Sequence, residues 1–206
     1  MFSWWIGAAA GFLQVLGYVL YLRHSHRKEI DPNAATWFMF AYGTALLAVL
    51  EYSRGARLDL LYLPIACAAL SIVVAFMCWK RGTLRWPEEW QDQLAFYVDV
   101  ILTISYVVAW FLALSGFLST RELGYANLVF LVCSNLTTIS SFSPLMRAAH
   151  RKESPLPWVV WAIAYIALAA ATFTKEGLWT ELMIYPVLNA ILHGRVAWLA
   201  RMGPHQ

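Results

Sequence analysis

The sequence predicts an all-α polytopic membrane protein: seven transmembrane helices, arranged as two parallel three-helix repeats joined by a linker helix. Three observations predict it. Sixty-one per cent of the residues are hydrophobic and only thirteen per cent are charged, where a soluble domain carries about one quarter charged residues. Apolar runs of about 20 residues recur along the chain, the length a helix needs to cross a roughly 30 Å hydrocarbon core. One polar stretch also occurs twice. RHSHRKE at 23–29 returns as RAAHRKE at 147–153, so that Arg23, His26, Arg27, Lys28 and Glu29 become Arg147, His150, Arg151, Lys152 and Glu153. The same offset of 124 carries Trp37 onto Trp161. Each copy lies between two apolar runs, so each is expected to be the polar turn of a helical hairpin, and self-similarity at a fixed offset marks a duplicated architecture.

The first span runs from about Trp4 to Leu22. Trp4 and Trp5 open it as interfacial anchors, and Gly7, Gly11 and Gly17 let another helix approach closely. Gln14 is its one strongly polar side chain. It follows Met1 with no basic segment before it and no small-residue cleavage site, so it is expected to be retained. The basic turn and Pro32 lead to the second span, about Ala34 to Leu50, which ends in Glu51 and Tyr52. The third runs from about Leu60 to Trp79, with Pro64 near its start. WPEEWQDQ (86–93) is expected to be a short interfacial helix with Pro87 in its first turn. The fourth span, about Leu94 to Leu118, contains Asp99. The fifth, about Ala126 to Met146, carries Ser134, Asn135, Thr137, Thr138, Ser140, Ser141 and Ser143 before Pro144. The sixth runs from about Leu156 to Phe173 and the seventh from about Leu182 to Leu199, with Pro186, Asn189, His193 and Arg195 in the seventh.

Under the offset, span one maps onto five and two onto six. Span three maps onto seven after a small gap that aligns Pro64 with Pro186 and Cys67 with Asn189. Span four has no partner. The expected organisation is therefore 1–82 as the first triple-helix bundle, 83–122 as the linker with the fourth helix, and 123–206 as the second bundle. An odd linker keeps both halves in the same orientation. The turns after spans one, three and five and the end of span seven hold eleven Lys and Arg; the other side holds four, Arg54, Arg57, Arg121 and Lys175. Basic loops favour the cytoplasm. The N-terminus is thus expected outside and the C-terminus in the cytoplasm, in a bacterial inner membrane.

The formal charge of +3 is a matter of loop topology and implies no nucleic acid. Cys67, Cys78 and Cys133 all lie in apolar runs without metal-ligand spacing, so no metal or other cofactor is expected. No HExxH and no Gly-x-Ser-x-Gly occurs, so no enzyme is expected. The last span has no lysine, which disfavours a retinal protein.

The plan, the orientation and the basic turn resemble the PQ-loop superfamily, which includes the SWEET-like sugar transporters and the PnuC-type vitamin-precursor transporters. Pro144, Arg147, Arg151, Lys152 and Ser154 fit the family's hairpin layout in the second half. Leu145 stands where the family has Gln, and Leu20-Tyr21 stands at the first-half pair. The closing stretch with Trp158, Trp161, Gly177, Trp179, Tyr185, Gly194, Arg195 and Trp198 is spaced rather like the end of PnuC-type proteins. The resemblance implies a transporter whose two bundles rock about a central site, with an Asn on the last helix of each bundle facing the substrate. Asn189 holds that place, and Cys67 holds its counterpart.

The residues themselves nominate a site. Asn135 and Thr138 share a face of span five, which serves either a water-lined path or helix packing. Asn189 and His193 lie four apart on span seven and could present a hydrogen-bonding edge, His193 being able to titrate. Trp37 and Trp161 either stack on a planar ligand or anchor at the interface. Pro144 and Pro186 are candidate hinges. Asp99 is either a proton-coupling group or a carboxylate that reaches water or a nearby Arg close to the helix end. The expected function is movement of a small polar metabolite (a sugar, nucleoside or vitamin precursor) by alternating access. The expected partners are that substrate and the lipid bilayer. The alternative is a non-transporting seven-helix receptor or accessory subunit of a membrane complex. A second copy of the chain is a further candidate contact, through the Gly-spaced first helix.

Overall fold

The computed structural model describes residues 2–30, 32, 34–83, 86 and 89–203. These form α1 (Phe2–His26), α2 (Ala34–Ser53), α3 (Leu58–Lys80), α4 (Trp90–Leu114), α5 (Thr120–Lys152), α6 (Pro155–Glu176), a single 3-10 turn (Glu181–Met183) and α7 (Ile184–Arg201). All seven helices are long and apolar enough to cross a membrane, and no strand occurs among the described residues. Large apolar side chains face outward around the bundle, including Phe12, Ile72, Ile101, Phe111, Ile166 and Ile191. A soluble monomer rarely exposes apolar surface on this scale. The protein is an all-α seven-helix membrane protein.

α5 departs furthest from the sequence expectation, at both ends. α5 begins six residues early because Ser119 and Glu122 form a capping box: the Glu122 backbone N–H donates to Ser119 Oγ at 3.3 Å, and the Ser119 N–H donates to Glu122 Oε2 at 2.8 Å. Such a box satisfies two of the N–H groups that a helix start leaves orphaned. α5 also runs late, through Lys152, so the second copy of the basic stretch is helix and not turn. Pro155 explains where it stops. It occupies the first position of α6 and disfavours helical geometry at the residue before it. In the first copy α1 ends at His26, and Lys28 adopts φ 60°, so there the basic stretch does make the turn. Arg85 and Pro87, and with them the start of the expected interfacial helix, lie outside the described residues, as do the side chains of His150, Arg151 and Lys152; residues 90–93 of that stretch are the first turn of α4 and not a separate helix.

The helices pack in one order twice. α3 lies between α1 and α2, and α7 lies between α5 and α6. The halves meet where α1 packs on α6 and α2 packs on α5. Exchanging α1 with α5, α2 with α6 and α3 with α7 returns these same pairings. α4 stands outside this arrangement against α5 and α2. The glycines of α1 set the close approaches. A Cβ on Gly7 would run into the Asp59 carbonyl of α3, one on Gly11 would press on Tyr62 of α3 at 3.1 Å, and one on Gly17 would fall on the Trp161 indole of α6.

Candidate functional site

The seam between the halves encloses a central chamber lined by Tyr18 of α1, Trp37, Phe40 and Thr44 of α2, Cys67 of α3, Trp158, Trp161 and Tyr165 of α6, and Asn189 and His193 of α7. Its volume is about 10 Å³, room for about one water. Four of the six substrate-binding candidates converge here: Trp37, Trp161, Asn189 and His193. Cys67, the repeat counterpart of Asn189, faces the same space.

Each side chain is held by its own local logic. Trp161 is seated against Gly17, and its indole N–H donates to the Gln14 carbonyl at 3.1 Å, a bond that crosses from one half to the other. Trp37 lies 6.0 Å from Trp161 and stacks on Trp158 at 6.5 Å with an interplanar angle of 28°. Its N–H lies near the Tyr21 hydroxyl without a well-aligned hydrogen bond. The Tyr18 hydroxyl bonds with Ser71 Oγ at 2.6 Å and donates to the Cys67 carbonyl at 3.2 Å, while Tyr165 and Tyr185 share a hydroxyl–hydroxyl bond of 2.9 Å. Asn189 Nδ2 donates to the Tyr185 carbonyl one turn back at 3.0 Å, and His193 Nδ1 donates to the Asn189 carbonyl at 2.8 Å. A carbonyl only accepts, so Nδ1 carries the proton, and in the neutral ring Nε2 is an acceptor. Buried aromatic rings with a few fixed hydrogen-bonding groups form the kind of lining that small-molecule sites use.

Asn135 and Thr138 do not join the chamber. Asn135 Nδ2 donates to the Leu131 carbonyl at 2.9 Å and Thr138 Oγ1 to the Ser134 carbonyl at 3.2 Å, so both donors are spent on their own helix. Seven residues separate Asn135 from Phe142, which does touch the His193 ring at 4.8 Å. Seven residues are about two helical turns, or roughly 10 Å along α5. Asn135 Oδ1 stays buried without a partner. Pro144 lies inside α5, which continues through it to Lys152. Pro186 is the third residue of α7, where the missing N–H removes no helical bond.

Asp99 neither reaches water nor meets an arginine. It is 4% exposed. Its Oδ1 accepts from Thr137 Oγ1 of α5 at 2.7 Å, and its Oδ2 faces Gly43 of α2. No Lys, Arg or His pairs with it among the described residues. The carboxyl group pins the linker helix to one helix from each half, outside the chamber. Thr137→Val leaves that buried group without its donor, which costs roughly 1–3 kcal/mol; equilibrium unfolding in mild detergent is expected to show the loss.

Contacts cross the seam on both faces of the bundle. On the face that carries the N-terminus, two ion pairs cross the seam. Lys175, at the end of α6, meets Asp59, at the start of α3, at 2.7 Å. Arg54, just after α2, meets Glu181, before α7, with Nε at 2.8 Å from Oε1. Arg54 also donates to the Gly124 carbonyl at 3.0 Å. Asp59 and Glu181 are equivalent under the alignment that pairs Pro64 with Pro186. On the opposite face Glu153 accepts from Tyr21 of α1 at 3.2 Å and from Trp158 at 2.9 Å. In the sequence Asp59, Lys175, Arg54 and Glu181 look like ordinary loop charges. The one available signal was the equivalence of Asp59 and Glu181 in the repeat.

The chain matches no protein-family model, no curated protein and no solved structure. Among the described residues no group of three or more His, Cys, Asp or Glu side chains is placed to hold a metal ion.

Proposed function

We propose that the protein is a transporter that moves a small polar, ring-bearing metabolite by alternating access between its two three-helix halves. One observation carries this reading. The chamber lies on the seam of the repeat, contains the equivalent pairs Trp37 with Trp161 and Cys67 with Asn189, and lies between two sets of contacts that cross the seam, one on each face of the bundle. A site built from both halves changes shape when the halves move relative to one another. The PQ-loop resemblance adds the same plan. The aromatic lining suits the face of a sugar, a nucleobase or a vitamin ring. Thr44, Asn189 and His193 offer hydrogen bonds to its edge. On this reading the ion-pair face is extracytoplasmic and the Glu153 face cytoplasmic, as the distribution of basic residues expects.

The test is counterflow in proteoliposomes with labelled sugars, nucleosides and vitamin precursors. Saturable uptake of one class is expected. Trp161→Ala is expected to reduce it at least tenfold, because it removes one wall of the chamber. Lack of saturable uptake across the panel would count against transport.

The alternative, a receptor or accessory subunit, is favoured by one observation: the aromatic side chains leave the chamber room for about one water. Transport requires that space to enlarge as the halves part. A stoichiometric membrane partner on gentle purification, together with absent counterflow, is the outcome this alternative expects.

A further inference from the structure

A third carboxylate stands at the ion-pair face. Glu51, in the last turn of α2, is 4% exposed. It borders a second small cavity on the seam, with Ala56 and Leu60 from the first half and Leu168, Thr172, Leu182 and Pro186 from the second. The cavity volume is about 10 Å³. Nothing hydrogen-bonds or ion-pairs with the Glu51 carboxyl group among the described residues. Thr172, the hydroxyl in the lining, donates to the Leu168 carbonyl at 2.9 Å.

The surrounding charges are already committed. On its own helix's exit Arg54 is held by Glu181, and the Tyr52 side chain is exposed. From α3, Asp59 faces Lys175 and Arg57. From α6, Lys175 is held by Asp59, and Glu176 is exposed. From the 3-10 turn and α7, Glu181 is held by Arg54, and Tyr185, the titratable group that faces Glu51, shares its hydroxyl with Tyr165. Arg121, the remaining cation of this face, lies against Tyr125. An ionised carboxylate in an apolar pocket with no countercharge costs several kcal/mol. A hard metal cation wants about six oxygen ligands, and this pocket supplies far fewer. A proton needs one.

We propose that Glu51 is a proton-binding site that holds the ion-pair face of the seam shut. With the seam closed, Glu51 is a neutral carboxylic acid among leucines from both halves. With the seam open, the same side chain meets water, loses its proton to it and no longer fits the closed pocket. Proton binding and closure are then reciprocal, because whatever favours one state of a linked equilibrium is favoured by it. Acid on that face keeps the seam shut and alkali releases it. The proposal rests on the reading that the two halves separate there.

Two measurements on the full-length protein in lipid test it. Infrared difference spectra against pH report the carbonyl stretch of a protonated carboxylic acid. The wild type is expected to show it near neutral pH, Glu51→Gln to lose it, Glu51→Asp to shift it while keeping the fold, and Asp99→Asn to retain it. Persistence of the full band in Glu51→Gln, or no shift in Glu51→Asp, overturns the proton site whether or not anything is transported. Spin labels at the exposed positions Tyr52 and Trp179, one in each half, report the width of the seam. The distance is expected to grow from acid to alkaline pH in the wild type and to be insensitive to pH in Glu51→Gln. An unchanged wild-type distance beside a confirmed band overturns the coupling and the separation of the halves together, and leaves the proton site standing.

Discussion

Gly17→Ala is expected to destabilise the protein by about 1–3 kcal/mol, the usual cost of forcing extra atoms into a packed interior. At an ordinary helix position the same change gains up to roughly 1 kcal/mol, since alanine favours the helix over glycine. The reason for the reversed sign is Trp161. A methyl group at Gly17 would occupy the space of the indole ring, and the ring cannot step aside without losing its hydrogen bond to the Gln14 carbonyl. Tyr18, Tyr21 and Trp158 surround it within about 6 Å between ring centroids, so no vacant rotamer is at hand. A double-mutant cycle isolates this contact. In a Trp161→Leu background, Gly17→Ala is expected to be neutral or stabilising. Gly194, where an added methyl group would meet open space, serves as the control and is expected to tolerate alanine in either background. Equilibrium unfolding in mild detergent reads all the variants. Equal effects of Gly17→Ala with and without the indole would mean that the steric argument is wrong. Because Trp161 lines the chamber, the same variant is expected to lower uptake in the counterflow assay.

Seven spans, the repeat and the Trp37–Trp161 equivalence were legible because each depends on pattern along the chain. Length and apolarity read out a membrane helix, and a recurring offset survives without knowledge of contacts. Asn189 and His193 were legible for the same reason, one face of one helix. What the sequence could not supply was which faces meet. Asn135 and Thr138 look like a polar stripe, yet both donors close onto their own backbone away from the chamber. Asp99 lay inside a span but its neighbours, Thr137 and Gly43, come from helices far away in sequence. Glu51 was hidden by position: a glutamate at the last turn of a span reads as the polar rim of the helix. It becomes conspicuous only when Leu60, Leu168 and Leu182 are seen around it. The second basic stretch was misread as a turn because its residues match the first copy. What differs is where the helix ends: at His26 in the first copy, where Lys28 takes a positive φ, and at Lys152 in the second.

The ion pairs that cross the seam give the other large effect. Lys175→Met is expected to open the ion-pair face. Asp59 is 3% exposed and Lys175 13%, so removal of the lysine leaves a covered carboxylate with Arg57 alone, at 3.3 Å and itself 64% exposed. Breaking a buried pair by deleting one partner costs about 3–5 kcal/mol, and the low end applies here because the pair sits at the first turn of α3 beside the membrane boundary. That energy is lost from the closed arrangement alone, since Asp59 can be hydrated once the halves part. The expected consequence is a shift toward the open arrangement more than a loss of fold. Leu182, 6% exposed beneath the pairs, reports it. A Leu182→Cys variant is expected to resist a membrane-impermeant maleimide in the otherwise native chain and to react at least tenfold faster with Lys175→Met, after correction for labelling of the native cysteines. Exchanging the charges, Asp59→Lys with Lys175→Asp, is expected to restore protection, because it keeps the attraction across the seam and reverses only its polarity. Arg54→Met is expected to act in the same direction through Glu181. Equal reactivity in the lysine variant and its parent would show that the pairs do not hold the two halves together. The chamber would then be sealed on this face by the apolar contacts beneath, and Glu51 would be the one ionisable group left to control it.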